Sequence, residues 1–370
     1  MNISIIIPTQ NRCDLLKQTI DSIAAQNFEP DEFEILVIDN CSTDETKSVT
    51  LECKNQHSKN NIQYIYEPIP GLLSGRHKGA LEAQGDILIF VDDDIIANKN
   101  WLSSIFETFQ DSTVHLVGGK CLPNYETEPP YWIEYLWVNS KNGKTCGDFS
   151  LIDFGDEKKE IDAGFVWGLN YAIRKKTLFD IGGFNPDTVP KKLQQFQGDG
   201  ESGLSKKIQK AGLKTIYQPK ALVYHFVPTD RMTFEYIYKR RYFQGVADSY
   251  TNVRQNKKPD EPQQTLPVIP TKRNDYQFIN LFRKFYHFIS GKRNHLELLQ
   301  LKYELDIVKQ EVLALRTEME KTDTERTLKK IMKTAYQQGY AFHQNEVKKN
   351  PTLLDWILKE NYWDWDYLKI

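Results

Sequence analysis

The chain has 370 residues, 40% of them hydrophobic, and its 48 lysines and arginines stand against 50 aspartates and glutamates for a net charge of −2. That composition fits one sizeable core with an appendage, or two domains. It argues against a whole-chain electrostatic grip on nucleic acid, and no apolar run approaches the roughly 20 residues that cross a bilayer. The opening "MNISIIIPTQNR" lacks a basic start and reads as a core strand, not a secretion signal. Five cysteines (Cys13, Cys41, Cys53, Cys121 and Cys146) are odd in number and form no CxxC. They read as reduced thiols of a cytoplasmic protein, with no zinc-site spacing.

Ile3–Ile7 is a continuous apolar run, expected to be a buried parallel strand ended by Pro8. Residues 14–26 have helical spacing, with Leu15, Leu16, Thr19, Ile20, Ile23 and Ala24 on one side. Phe33–Ile38 predicts a second strand, closed by Asp39, and "STDE" at 42–45 predicts a capping box for the next helix. Ile62–Tyr66 and Ile87–Val91 predict two further strands around a helix over 74–84. This alternation predicts a parallel α/β sheet, whose ligands gather beyond the carboxyl ends of the strands. Pro8-Thr9, Asp39 and Asp92–Asp94 all fall there. Residues 121–160 are expected to be a loop-rich aromatic insertion, and 161–245 return to α/β patterning.

"ILIFVDDDIIANKNW" runs a strand straight into three adjacent carboxylates. Asp92 and Asp94 flank one residue, a spacing that can hold a hard divalent cation, Mg²⁺ or Mn²⁺, which also takes phosphate oxygens. The bland alternative is a solvated acidic turn.

Five stretches then occur in order: "SIIIPTQNR", "EILVIDNCSTDET", "GLLSGRHKGALEAQGDILIFVDDD", "GFVWGLNYAIRKKTLFDIGGFNPD" and "GDGESGLSKKIQKAG". Together they make residues 1–245 resemble an inverting family 2 glycosyltransferase of the GT-A fold, an α/β, Rossmann-like, mostly parallel sheet. The resemblance implies a nucleotide-sugar donor, with UDP the usual carrier, and Mn²⁺ or Mg²⁺ as cofactor. It implies that Pro8, Thr9, Asn11 and Arg12 border the nucleotide and that Asp39 accepts from the base. Arg76 lies near the nucleotide and the acidic triplet, Asp92 at ribose or cation, Asp93 beside them, and Asp94 on the metal. Gly75 and His77 depart from the family's usual Ala and Asn. His77 is open between a ligand contact and a surface helix histidine. Trp167 and Asn170 border donor sugar and acceptor. Glu201 is favoured as the base that takes the acceptor proton, with Asp199 its competitor. His225 is a further metal ligand, and Arg231 reaches the diphosphate. Either the 239–241 run "KRR" does so too or it is a solvated helix face. Tyr131, Trp132 and Trp137 either stack on a sugar or pack in the core.

The implied activity is sugar transfer to a hydroxyl of a glycan, glycolipid, other lipid-linked or glycoprotein acceptor, as in polysaccharide biosynthesis. One rival is a nucleotidyltransferase that makes nucleotide sugars, but "IIIPTQNR" lacks the Gly-rich basic loop that chemistry needs. The other is a non-catalytic scaffold. The expected boundaries are a catalytic domain over 1–250, a Pro- and Gln-rich linker over 251–275, amphipathic and coiled-coil helices over 276–335, and an aromatic-rich helical tail over 336–370. "YQFINLFRKFYHFISGK" at 276–292 reads either as a helix lying on the cytoplasmic membrane face or as an interdomain packing helix. Leu298, Leu301, Leu305, Val308, Val312, Leu315 and Met319 step by 3 and 4, which predicts a coiled coil and hence a homo-oligomer.

Overall fold

The computed structural model describes residues 2–260 and 324–364. The helix expected over 276–292 and the heptads of 298–319 lie outside the described residues.

Strand β1 (Ile3–Thr9) pairs in parallel with β2 (Phe33–Asp39), and β2 with β3 (Asn61–Tyr66). On its other side β1 pairs in parallel with β4 (Ile87–Phe90). Every residue of β1, β2 and β4 is buried. That is why their sequences are mostly apolar, with buried Ser4 and Glu34 bonded to each other at 2.6 Å: helices cover both faces. These are α1 (Cys13–Ala24), α2 (Thr46–Gln56) and α3 (Leu72–Glu82).

Two local expectations change. Pro8 does not end β1, because Pro8 still pairs with Ile38 and Thr9 with Asp39. The Ile6 carbonyl accepts from Val91, so Pro8, two residues on, turns its nitrogen to the same side. The β4 pairing stops at Ile6, so the missing Pro8 N–H leaves no ladder bond unmade. The capping box is not used either. The Ser42 hydroxyl accepts from the Asn11 N–H, while Asp44 accepts from the backbone and hydroxyl of Thr46. The first two turns after the strands are thus stitched to each other.

Beyond β4 come the short strand β5 (Ile95–Ala97), helix α4 (Trp101–Thr108) and the long strand β6 (Val114–Tyr125). The expected loop-rich insertion also carries short strands: the hairpin β7 (Val138–Ser140) and β8 (Gly143–Cys146), then β9 (Leu151–Asp153) and β10 (Lys159–Glu160). Its "YWIEYL" forms a 3₁₀ turn. Trp132, Ile133 and Leu136 from that turn pack with Phe149, Met232, Ile237 and Leu328 into a second, smaller core. β11 (Tyr171–Arg174) inserts antiparallel between β4 and β6, followed by α5 (Lys175–Asp180) and α6 (Gly200–Lys210). The last strand, β12 (Lys214–Val227), runs parallel to β6 and antiparallel to β5 and β10. The main path is β3-β2-β1-β4-β11-β6-β9-β8-β7.

α7 (Phe234–Asn256) continues six residues past the expected domain end at 250. α8 (Thr324–Lys349) crosses the expected 335/336 division without a break and lies along α7, and α9 (Pro351–Ile357) follows. The two long helices meet glycine to glycine. A Cβ on Gly339 would stand 1.9 Å from the Tyr242 carbonyl oxygen, and one on Gly245 would stand 2.1 Å from that of Tyr336. Glycine inside a helix sacrifices about 1 kcal/mol against alanine. Here closeness of the backbones outweighs that cost. Gly339→Val is therefore expected to lower the thermal unfolding midpoint, by forcing the helices apart at about 1–3 kcal/mol; an unchanged or higher midpoint in calorimetry would contradict the packing. Among the described residues no helix is long and apolar enough to cross a membrane.

Candidate functional site

The carboxyl ends of β1 and β4 open into a cleft of about 770 Å³. Pro8, Thr9, Arg12, Arg76, Asp92, Asp93, Asp94, Glu201, His225 and Arg231, ten of the residues singled out from sequence, line it.

The acidic triplet divides into three environments. Asp93 is buried, accepts from the Thr9 hydroxyl at 2.7 Å and pairs with Arg12 at 2.7 Å. Burial pushes Asp93 up to about 7, against the pull of Arg12. Its side chain thus ties the β4 end to the β1 turn. Asp94 Oδ2 gathers Arg12 at 2.5 Å, Arg231 at 3.3 Å and His225 Nε2 at 3.4 Å. Burial opposes its charge, but His225, Arg12 and Arg231 outweigh burial and hold it well below the usual carboxylate range. Asp92 is half-buried, and burial and the neighbouring charge of Asp94 raise its affinity for a proton.

The donor set fits a divalent cation. Asp94 Oδ1 is buried with no hydrogen-bond partner. His225 Nδ1 lies 2.7 Å from the Phe149 carbonyl oxygen and so carries a proton, while Nε2, 3.4 Å from Asp94 Oδ2 and 3.3 Å from the Arg231 guanidinium, is the ring nitrogen turned to the acidic end of the cleft. No group of three His, Cys, Asp or Glu side chains is arranged to hold a metal among the described residues. A hard cation takes roughly six oxygen-type ligands, so phosphate oxygens and water have to complete the shell.

Across the cleft stands a second charged cluster. Arg76, on α3, is almost fully buried, and its guanidinium lies 3.1 Å from Glu201 and 3.8 Å from Asp187. Glu201 sits in the first turn of α6. Burial opposes its charge, but Arg76 wins and holds Glu201 below the ordinary glutamate range. Asp187 goes the other way, raised by burial and by the charge of Glu201. The two carboxylates at Arg76 are thus pushed in opposite directions, Glu201 toward its ionised form. The spelling Asp-Gly-Glu has a steric reason. Gly200 has φ +50°, and a Cβ there would meet Asp187 Oδ2 at 2.6 Å.

Apart from Arg240, the other residues singled out do not line the cleft. Asp199 turns inward, accepting from Asn185 at 2.7 Å and Thr251 at 2.5 Å. Asn170 is buried, accepting from the Trp101 indole at 3.0 Å and donating to the Ala221 carbonyl at 2.9 Å. Trp167 packs against the core, its indole donating to the Gly164 carbonyl. Asn11 holds the turn after β2 by accepting from Thr43 at 2.7 Å. Asp39 is buried at the β2 end, accepting from the Ser42 N–H at 2.8 Å and the Tyr64 hydroxyl at 2.6 Å. It is Asn40, next in sequence, that lines the cleft. Trp132 stacks on Phe234, Trp137 lies under Lys144, and Tyr131 bonds Thr324. Of the 239–241 run, Arg240 lines the cleft, while Arg241 pairs with buried Asp148 at 2.6 Å. Sequence reasoning missed Asp187, Asp148 and Tyr236 as lining residues. Asp187 closes the quoted "GGFNPD", so a signal was present. Asp148 had none.

Residues 4–177 match the family model described as "Glycosyl transferase family 2". The glucosyl-dolichyl phosphate glucuronosyltransferase of Haloferax volcanii is 23% identical over 67% of this chain and 76% of its own length. The GalNAc(5)-diNAcBac-PP-undecaprenol beta-1,3-glucosyltransferase of Campylobacter jejuni is 34% identical over 50% of this chain and 55% of its own. Of other curated relatives, too, the chain spans about half the length, 44% to 55%. Among solved structures, a mannosyltransferase from Pyrobaculum calidifontis, in complex with GDP-Man and Mn²⁺, superposes with a TM-score of 0.53 at 16% identity, covering 92% of this chain and 86% of that one. The fold is thus of the GT-A type, like that of this solved glycosyltransferase, and the relatives similar in sequence are glycosyltransferases. Residues 4–177, just under half of the chain, are thus similar to glycosyl transferase family 2.

Proposed function

We propose that the chain transfers a sugar, with inversion, from a nucleoside-diphosphate sugar, most simply a UDP-sugar, to a hydroxyl of a glycan, lipid-linked or protein acceptor. One observation carries this reading. An ionised Glu201, seated on a helix and locked by buried Arg76, shares one cleft with an Asp94 whose inner oxygen is unpaired. The acceptor oxygen attacks the anomeric carbon and its proton passes to Glu201. The bond from that carbon to the diphosphate oxygen breaks, and the diphosphate leaves with the electron pair. Arg12 and Arg231, both at the Asp94 end of the cleft, face the charge that develops there. Asp94 and His225 would hold Mn²⁺ or Mg²⁺, which supplies further positive charge against the leaving diphosphate. Thr9, Arg12 and Asn40 border the nucleotide, with Asp39 reading the base through whatever acceptor capacity Ser42 and Tyr64 leave it. Two relatives carry dolichyl phosphate and PP-undecaprenol in their names, which favours a lipid-linked acceptor.

A panel of nucleoside diphosphates and nucleotide sugars tests the donor side by thermal shift, with Mn²⁺ and then with chelator. One donor series is expected to raise the unfolding midpoint with Mn²⁺, corresponding to about 2.7 kcal/mol at a hundredfold excess over Kd. If no nucleotide shifts the midpoint in Mn²⁺, the reading fails.

A further inference from the structure

The C-terminal tail seats itself against the helix that carries Arg76. Trp363 stacks on the His77 ring with centres 4.0 Å apart, and Phe179 of α5 covers its other face at 4.4 Å. His77 is fully buried, not a surface residue. Its Nδ1 lies 3.1 Å from the Tyr362 carbonyl oxygen and its Nε2 lies 3.0 Å from the Phe184 backbone nitrogen. A carbonyl only accepts and a peptide N–H only donates. The ring is therefore neutral with its proton on Nδ1: it donates to the tail and accepts from Phe184. The Phe184 ring in turn lies 5.0 Å from the Arg76 guanidinium, the group that holds Glu201 and Asp187. Gly183 makes the seat possible. Its φ is +67°, and a Cβ there would stand 2.7 Å from His77 Nε2 and 2.9 Å from Trp363.

We propose that the tail is a positioning element of the transfer site, with Tyr362 and Trp363 locking His77 in one tautomer and His77 fixing, through Phe184, where Arg76 holds Glu201. This deepens the reading of Glu201 as the base and rests on it. The charged groups acting on His77 are Arg76, its neighbour on α3, and Lys207 on α6. Phe179 of α5, Gly183 and Phe184 of the preceding turn, and Trp363 bring no charge. Burial pushes His77 down to about 3; the Tyr362 carbonyl opposes this, while Lys207 and Arg76 add to it. Protonation would set an Nε2–H against the Phe184 N–H and a third positive charge beside Arg76 and Lys207.

Opening one face of the ring to water lets His77 return toward its ordinary value of about 6.5. The sign follows: the positioning is present above that value and lost below it. Transfer rate against pH is measured for the full chain, Trp363→Ala, and Trp363→Ala with His77→Gln. His77 nitrogen signals are followed by NMR in the first two. Trp363→Ala is expected to gain an acid limb, losing about tenfold in turnover one pH unit below that value, with donor KM changed less than about twofold. The double variant loses the limb, since Gln does not titrate yet still donates and accepts. A Trp363→Ala rate and pH profile like the wild type, or a loss equal at every pH that tracks the melting temperature, overturns the proposal. So does an Nε2–H signature in the wild-type spectrum. The spectrum decides the tautomer lock even if the wild type transfers no sugar, the result that sinks the functional reading instead.

Discussion

Glu201→Gln is expected to lower turnover by about 10²–10⁴-fold while leaving nucleotide affinity nearly intact, the range in which general-base catalysis contributes. Gln keeps the shape and a hydrogen bond to Arg76 but cannot take a proton. The wild-type profile should also be flat through neutral pH on its acid side. The base must be ionised, and Arg76 holds Glu201 below the ordinary glutamate value of about 4.3; the limb where rate falls therefore lies below that pH. Asp199→Asn is the contrast. Asp199 is buried under Asn185 and Thr251, away from the cleft, so its loss should cost about 1–3 kcal/mol of stability with a far smaller fall in turnover. Steady-state kinetics with calorimetric nucleotide titration separates the two. Full turnover in Glu201→Gln would move the base to Asp187, the other carboxylate at Arg76.

Asp94→Asn should cost on the order of 10²–10³-fold in turnover, the loss seen when one electrostatic stabiliser is removed from a site of this kind. The amide keeps the volume but gives up the charge that organises Arg12, Arg231 and His225. Arg12 retains Asp93, so the fold should survive. The decisive comparison is nucleotide binding with Mn²⁺ and with chelator. Wild-type affinity is expected to drop on chelation, and the variant's is expected to be weak in both conditions. Wild-type turnover in Asp94→Asn, or affinity indifferent to chelator in both proteins, would sink the assignment of Asp94.

The strands of the first half were legible because burial on both faces leaves little room for polar residues; the inner exceptions, Ser4 and Glu34, bond each other at 2.6 Å. Ile3–Ile7, Phe33–Ile38 and Ile87–Val91 needed only their own composition to be read. The triplet's strand-end position followed from the same pattern. Other readings failed where a side chain's fate is set by a partner distant in the chain. Asn170 looked like a site residue, but Trp101 of α4 and Ala221 of β12 claim its amide. Asp199 and Glu201 are two residues apart with opposite surroundings, because Gly200's positive φ sends one inward and the other to the cleft. Asp187 joins the site only through Arg76, 111 positions earlier, and no local spacing announces that. His77 departed from the family pattern, and its partners lie at 362 and 363, in a stretch the resemblance does not reach.

The return of α8 and α9 onto α7 bears on where this chain can be cut. A boundary drawn from the family resemblance falls near 250, inside α7. Ending a recombinant fragment at 260 would strip α8 from Gly245, leave the Tyr250 hydroxyl without Tyr362, and deprive the Arg254 guanidinium of the Ile357 carbonyl. A fragment that keeps these contacts has to join residues 2–260 with 324–364. Asp260 is fastened to Gln344 and Tyr340, and Thr324 to Tyr131. With twenty helical positions between 324 and 344, those anchor points stand about 30 Å apart. Whatever chain joins the two described segments has to reach across that distance, along the flank of α7 and α8, and not merely turn back on itself.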